Sequence, residues 1–414
     1  MTSTNPDDPA REARLAVFES RAYGLFLHWG LYSLLERGEW VRFHHQLDPE
    51  EYDSLARRFT AENFDAPALV NWAKGCGFRY ICLTARHHEG FSLYDTRGLN
   101  TFDALHTAAG RDLVGELAQA CHAGGMGLFL YHTTLDWWEP RFDTDWKAYL
   151  AYLRDSVRIL CTHYGKIDGL WFDGNWARKD RDWEEEALYR MIRELQPDCM
   201  IINNSSLGAP GEEGHPMLDA VTFEQGLPVK ATARRMAKEM CQTLASHWGV
   251  AKNDYSHKSP ADVINDLVTC RGHGANLLLN AGPKADGSIS DIDRLTLERA
   301  GEWIRGSLGE VLYSGRPAGL RACGRDVVLR DRDDLYYCAF DLPIDKNAHL
   351  HAGRSDWDRR TLTGGIPAVK QIIWLDNGEE LPFVQNQPAG LLAFKASAFP
   401  YGEQQIIRIA KISL

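Results

Sequence analysis

The chain has 414 residues, 44% apolar and 25% charged, and its 46 Lys and Arg against 57 Asp and Glu leave a formal net charge of −11. This is a globular composition with room for about two or three domains and an ordinary core, needing neither disulfide nor metal staples. An acidic chain without a run of five Lys or Arg is unsuited to wrapping nucleic acid or lying on an anionic membrane, and no apolar stretch nears the roughly 18 residues of a spanning helix.

The chain opens with MTSTNPDDPAREARLAVF, which carries two aspartates where a secretory signal would carry a basic patch and an apolar run. Residues 1–14 are expected to form a flexible tail. The nine cysteines include no Cys-x-x-Cys pair, and most lie in apolar segments, such as Cys82 in RYICLTA and Cys161 in RILCTHY. Free buried thiols belong to a reducing compartment, so the expected location is cytoplasmic.

From about residue 21 to 310, short β-prone apolar runs alternate with longer segments of helical period. The strands are expected at Tyr23–Trp29, Arg79–Ala85, Gly127–His132, Asp168–Asp173, Cys199–Asn204, Asp219–Glu224 and Ala275–Asn280. Between them APALVNWAKGCG, DLVGELAQACHAGG, WKAYLAYLRDSVRILCTHY, EEEALYRMIRELQ and SPADVINDLVTCRG read as helices, with DRLTLERAGEWIRGSL following the last strand. Strand–helix alternation over close to 290 residues predicts an α/β fold, a (β/α)8-like barrel assigned to residues 15–316. An eighth strand is either irregular or hidden between Arg234 and Trp248, where RRMAKEMCQTLASHW also reads as a helix. After Gly315 the pattern changes to alternating segments without helices, DVVLRD, DLYYCAFDL, QIIWLDNG, GLLAFKA and QQIIRIAKI. This predicts a C-terminal all-β sandwich over residues 317–414.

Each barrel strand delivers polar side chains at its C-terminal end. In order these are His28-Trp29-Gly30, Arg86-His87-His88-Glu89, Tyr131-His132, Asp173-Gly174, Asn203-Asn204, Glu224-Gln225 and Asn280. In a parallel barrel those ends share the face that carries catalysis. Trp29, Trp40, Trp137, Trp138, Trp171, Trp176 and Trp248 accompany them. Any one indole serves equally as core packing, but rings beside amides, imidazoles and carboxylates make a carbohydrate cleft. Asp173 and Glu224 follow apolar runs at strand mouths and suit a glycosidase pair, one carboxylate ionised and the other held protonated. The plainer alternatives are a turn-forming Asp-Gly pair and a solvated loop glutamate.

No metal is expected. Neighbouring strand residues such as His87 and His88 point to opposite sides, His28 and His45 have no zinc spacing, and neither His-x-His nor His-Glu-x-x-His occurs. Without a Walker A or Gly-x-Gly-x-x-Gly loop, no cofactor is expected either.

Several segments, in this order, resemble the α-L-fucosidases of glycoside hydrolase family 29. They are YGLFLHWGLYSLLERGEWV, FTAENFDAPALVNWAKGCGFRYICLTARHHEGFSLYDT, DLVGELAQAC, GLWFDGNW, FEQGLP, GANLLLNAGPKADGSI and VLYSGRP, and QIIWLDNGEELPF resembles that family's small β-sandwich. The resemblance covers nearly all of residues 20–317 and implies a retaining hydrolase of terminal α-L-fucose working through a covalent glycosyl-enzyme. It places Asp173 on the nucleophile, and His28, Glu39, Trp40, His87, His88 and Tyr131 in the fucose pocket with Trp171 as a wall. Glu224 matches the segment that usually supplies the acid/base. Glu239, aligned with a Trp-Glu-x-Cys element, is the alternative. Lys238, Val41 and Ser205 depart from the family pattern, which bears on linkage preference more than on the reaction. The implied partner is a fucosylated oligosaccharide or glycoside. A catalytically silent fucose-binding protein, a metal-dependent barrel hydrolase and a glycosidase for an L-fucose-like sugar are the competing readings.

Overall fold

The structure, a computed structural model, describes residues 9–205, 209–306, 309–345, 357–403 and 405–414. By its internal contacts the chain divides into two compact units, Met1–Lys258 with Asn276–Thr296, and Ser259–Ala275 with Leu297–Leu414.

Eight strands close into a barrel in chain order: β1 (Tyr23–Leu27), β2 (Tyr80–Arg86), β3 (Gly127–Thr133), β4 (Gly169–Asp173), β5 (Met200–Asn204), β6 (Ala220–Glu224), β7 (Ala237–Thr243) and β8 (Ala275–Ala281). Parallel pairing of Leu25 with Leu279 joins the last strand to the first. β1, β2, β3, β5 and β8 are buried along their whole length, as near-continuous apolar runs require. All seven expected strands are present. The eighth, β7, lies in the stretch that also read as a helix. Its sequence AKEMCQT is made largely of helix formers, and the gap between β6 and β8 overrides that local preference. Ala237 and Cys241 face the barrel interior with Phe26, Tyr80, Phe129, Met200, Ile202 and Leu278.

Helices start where aspartates cap them. Asp65 accepts from Ala68 N, Asp112 from Gly115 N and Asp145 from Ala148 N, opening the helices Ala66–Gly75, Leu113–Gly124 and Trp146–His163. A further helix, Pro9–Arg21, begins inside the segment expected to be a tail; residues 1–8 of that segment lie outside the described residues. Its Leu15 and Phe18 join the barrel's interior cluster. Arg14 and Arg21 pair with Asp219 (3.4 Å) and Asp168 (2.6 Å), and Asn276 Nδ2 donates to Phe18 O at 2.7 Å. This helix therefore plugs the barrel at the end opposite the strand C-termini.

The C-terminal sheets are antiparallel. One runs in the order β10 (Arg321–Ala322), β13 (Trp357–Thr363), β16 (Leu391–Ser397), β15 (Phe383–Asn386). The other runs β14 (Gln371–Trp374), β17 (Arg408–Ser413), β12 (Asp334–Ala339), β11 (Val327–Asp331), β9 (Arg316–Pro317). Leu335, Tyr337, Leu362, Ile372, Trp374, Leu392 and Phe394 fill the core of this sandwich.

Candidate active site

Register places the site. Asp173, the last residue of β4, lies opposite Thr133 of β3 and Asn204 of β5. Gly174 then turns the chain at φ +114°, where a Cβ would come within 2.6 Å of Leu135 N. Only glycine makes that turn without strain, so the Asp-Gly pair is both a turn and a way of presenting the carboxylate. Asp173 Oδ1 accepts from Trp176 Nε1 at 2.9 Å, and Oδ2 accepts from Tyr131 OH at 3.1 Å. His88 Nε2 is 3.5 Å from Oδ2.

Glu224 ends β6. Its Oε2 accepts from Asn204 Nδ2 at 2.7 Å, and Asn204 Oδ1 in turn accepts from Thr222 Oγ1 at 2.8 Å. Burial, with the nearby charge of Asp173, pushes the Glu224 carboxyl up to about 7, although hydrogen bonds from Asn204 and Trp248 pull the other way. Both mouth carboxyls therefore accept hydrogen bonds, and burial leaves that of Glu224 partly protonated near neutrality.

The imidazoles line the same space. His28 Nδ1 lies 2.7 Å from Asn280 Oδ1, whose amide nitrogen donates to Trp248 O, so the ring donates from Nδ1 and turns Nε2 out as an acceptor. Burial drives His28 down to about 3, which keeps it neutral. His87 is also held well below the usual range, by burial first and then by His88 and His28. His88 Nδ1 bonds Thr133 Oγ1 at 2.7 Å. His87 and His88 do not alternate as expected for strand neighbours. β2 ends at Arg86, a turn closes from Gly90 N to His87 O, and the two rings lie 4.2 Å apart. Beneath His87, the fully buried Glu89 is raised to about 8 by burial.

Aromatic rings complete the walls. Tyr131 stacks on Trp171 at 5.6 Å, and Trp40 lies over Trp176 at 5.9 Å and edge-on to His88 at 5.4 Å. Glu39 Oε2 accepts from the backbone N–H of Trp248 (3.1 Å) and Gly249 (2.8 Å), so its charge is answered inside the fold. Glu239 is placed elsewhere. It pairs with Thr222, two residues below Glu224, and is fully buried, with Oε1 accepting from Trp171 Nε1 (2.8 Å) and Oε2 from Tyr80 OH (2.6 Å).

The structure therefore gathers His28, Trp40, His87, His88, Tyr131, Asp173 and Glu224 at one mouth, braces it with Glu39 and Trp171, and leaves Glu239 a layer lower. Trp176 and Trp248 entered the sequence reading only as members of an aromatic set, and Thr133 was not singled out. The one local sign for Trp176 is its position three residues after Asp173. Among the described residues no group of three His, Cys, Asp or Glu side chains is arranged to hold a metal ion.

A closed parallel barrel whose mouth sets two carboxyls among imidazoles and indoles is the framework of a glycoside hydrolase. The sequence profile of the family described as Alpha-L-fucosidase matches residues 3–307. The chain belongs to the α-L-fucosidase family. It is 28% identical over 370 residues to tissue alpha-L-fucosidase of Rattus norvegicus, covering 81% of this chain and 78% of the relative. The Homo sapiens tissue enzyme is 28% identical over 346 residues, covering 75% and 72%. Among solved structures, alpha-L-fucosidase isoenzyme 1 from Paenibacillus thiaminolyticus superposes with a TM-score of 0.83 at 30% identity, covering 98% of this chain and 99% of that one.

Proposed function

We propose that this chain is a retaining exo-α-L-fucosidase that releases terminal α-L-fucose from oligosaccharides by double displacement. Asp173 attacks the anomeric carbon while Glu224, protonated, donates to the departing oxygen, and Glu224 then takes the proton of the water that frees the sugar. The observation that carries the reading is the pair of carboxyls at the barrel mouth. Asp173 accepts hydrogen bonds from Trp176 and Tyr131, while Glu224 is raised to about 7 by burial and by Asp173.

His28 presents an acceptor nitrogen to the sugar hydroxyls, and His87, His88, Glu39 and Trp40 complete the pocket, with Trp171 and Tyr131 as a stacked wall. The nearby carboxylate stabilises the oxocarbenium-like charge of the transition state. All nine cysteines are free thiols, eight of them buried, which supports placing the protein in a reducing, cytoplasmic setting.

The test is 4-nitrophenol release from its α-L-fucoside, with proton NMR of the first sugar formed. α-L-Fucose as initial product supports retention. β-L-Fucose would overturn the double displacement, and no release from aryl or oligosaccharide fucosides would overturn the activity.

A further inference from the structure

A second hollow adjoins the sugar pocket. It is lined by Arg37, Gly38, Glu39, Trp40, Val41, His44, His45 and His247, and it shares Glu39 and Trp40 with the site described above. Resting on the fucosidase reading, we propose that this groove holds the leaving-group sugar and selects one that carries an anionic substituent, a sulfate ester or a carboxylate.

The chain as a whole carries −11, yet this groove gathers one arginine and three histidines, all four exposed. Its single carboxylate, Glu39, is buried and turned onto the backbone N–H groups of Trp248 and Gly249. Among the described residues Arg37 has no ion-pair partner, so its five-donor guanidinium is available for the planar, two-point contacts that carboxylates and sulfates accept.

His247 is built into the wall rather than hanging from it. A Cβ on Gly38, at φ +81°, would meet its Cδ2 at 2.8 Å, so the glycine is what lets the imidazole lie against the turn. Its Nδ1 is 2.8 Å from Asp254, whose side chain is only 4% exposed, so the carboxylate lies beneath the ring and the other edge of the half-exposed ring faces outward. Trp40, tilted 31° to His44 at 5.6 Å, supplies the ring on which a sugar face rests. A ring platform flanked by one unpaired guanidinium and three imidazoles, with Glu39 and Asp254 both already engaged, is complementary to an anionic sugar.

The experiment measures kcat/KM on three α-L-fucosylated oligosaccharides that differ only in the residue bearing the fucose: neutral, O-sulfated, or a uronic acid. The aryl fucoside is run beside them. The expected result is a preference for a charged substrate of about two- to fivefold at low salt, as one exposed ion pair provides. It should shrink at roughly 0.5 M salt, where screening acts within a few ångströms. Arg37→Glu should abolish or invert the ratio, and Arg37→Lys should restore part of it. A preference confined to the sulfated substrate assigns the groove to sulfate esters, one confined to the uronic acid assigns it to carboxylates, and one shared by both assigns it to anions generally. Equal kcat/KM on all three, or a preference that survives Arg37→Glu, overturns the proposal while aryl-fucoside release leaves the fucosidase reading standing. If none of the substrates is cleaved, that reading falls, and calorimetric binding of the charged and neutral oligosaccharides decides the groove by itself.

Discussion

Tyr131 OH donates to Asp173 Oδ2 at 3.1 Å, and the ring that carries it stacks on Trp171 at 5.6 Å, whose indole N–H is anchored on Glu239 at 2.8 Å. A chain of contacts thus runs from a carboxyl buried within the barrel to the carboxylate at its mouth. Trp176 Nε1 holds the other oxygen of Asp173 at 2.9 Å. Both donors fix the orientation of the Asp173 carboxyl group.

Removing either donor should weaken catalysis without unfolding the protein. Tyr131→Phe and Trp176→Phe each delete one hydrogen bond to a charged group, worth about 1.5–3 kcal/mol, so kcat/KM on the aryl fucoside should fall about 10- to 100-fold. Steady-state kinetics beside circular dichroism checks this; unchanged kcat/KM in both variants would remove the positioning role.

Asp173→Ala should lower aryl-fucoside turnover by several orders of magnitude, since the proposed nucleophile is lost. The unfolding transition should stay close to that of the parent, because the side chain is partly open to the cleft rather than part of the core. Full turnover in this variant would defeat the assignment.

Glu224→Gln should be far less impaired on the aryl fucoside than on an oligosaccharide, because a nitrophenolate leaves without a proton. With the carboxyl raised to about 7, the acid form is present below that pH and lost above it. Oligosaccharide hydrolysis in the parent should therefore decline as pH rises through about 7, and the variant should lack that limb. A limb of equal position in both proteins would assign it to another group.

Glu239→Gln distinguishes a positioning carboxyl from an acid/base. Glutamine can accept from Trp171 N–H and donate to Tyr80 OH, so the wall should survive and aryl-fucoside activity should stay within about tenfold of the parent. Glu239→Leu leaves both donors buried and unpaired, at about 1–3 kcal/mol each, and should be clearly less stable to urea.

The pH dependence of stability follows from the same group. Its folded value of about 7 lies above the ordinary 4.5, with burial as the first cause, so the folded state binds the proton more tightly. That contribution is complete below about 4.5 and is lost as pH rises through 7, a span worth about 3 kcal/mol at most. Parent stability should drop between pH 5 and 8, and Glu239→Gln should show a smaller drop. Identical slopes would mean that the carboxyl is not held protonated.

Much of this was legible in one dimension because buried parallel strands have a local signature. YGLFL, YICLTAR, GLFLYHT and ANLLLNA are short apolar runs that need no tertiary information to be read as strands. The polar residue ending each run follows from the same pattern, since the C-terminal ends of parallel strands share a face, and Asp173 and Glu224 were found in that way. AKEMCQT resisted because its residues favour a helix locally and only barrel closure makes them a strand.

The rest depended on distance through space. Glu224 and Glu239 are both carboxyls near a strand, separated in sequence by a short loop, and nothing local ranks them. The β6–β7 register does, by pairing Glu239 with Thr222 below the mouth and Glu224 with Cys241 at it. The rings of His87 and His88 come together because the strand stops one residue earlier, and Trp176 reaches Asp173 because a glycine turns the chain between them. Sequence by itself determined the class of fold and the residues available for chemistry, because hydrophobic period and residue type are local quantities. Which carboxyl keeps its proton, and which side chains meet, was decided only by tertiary structure, because burial and charge proximity exist only once distant strands are brought together.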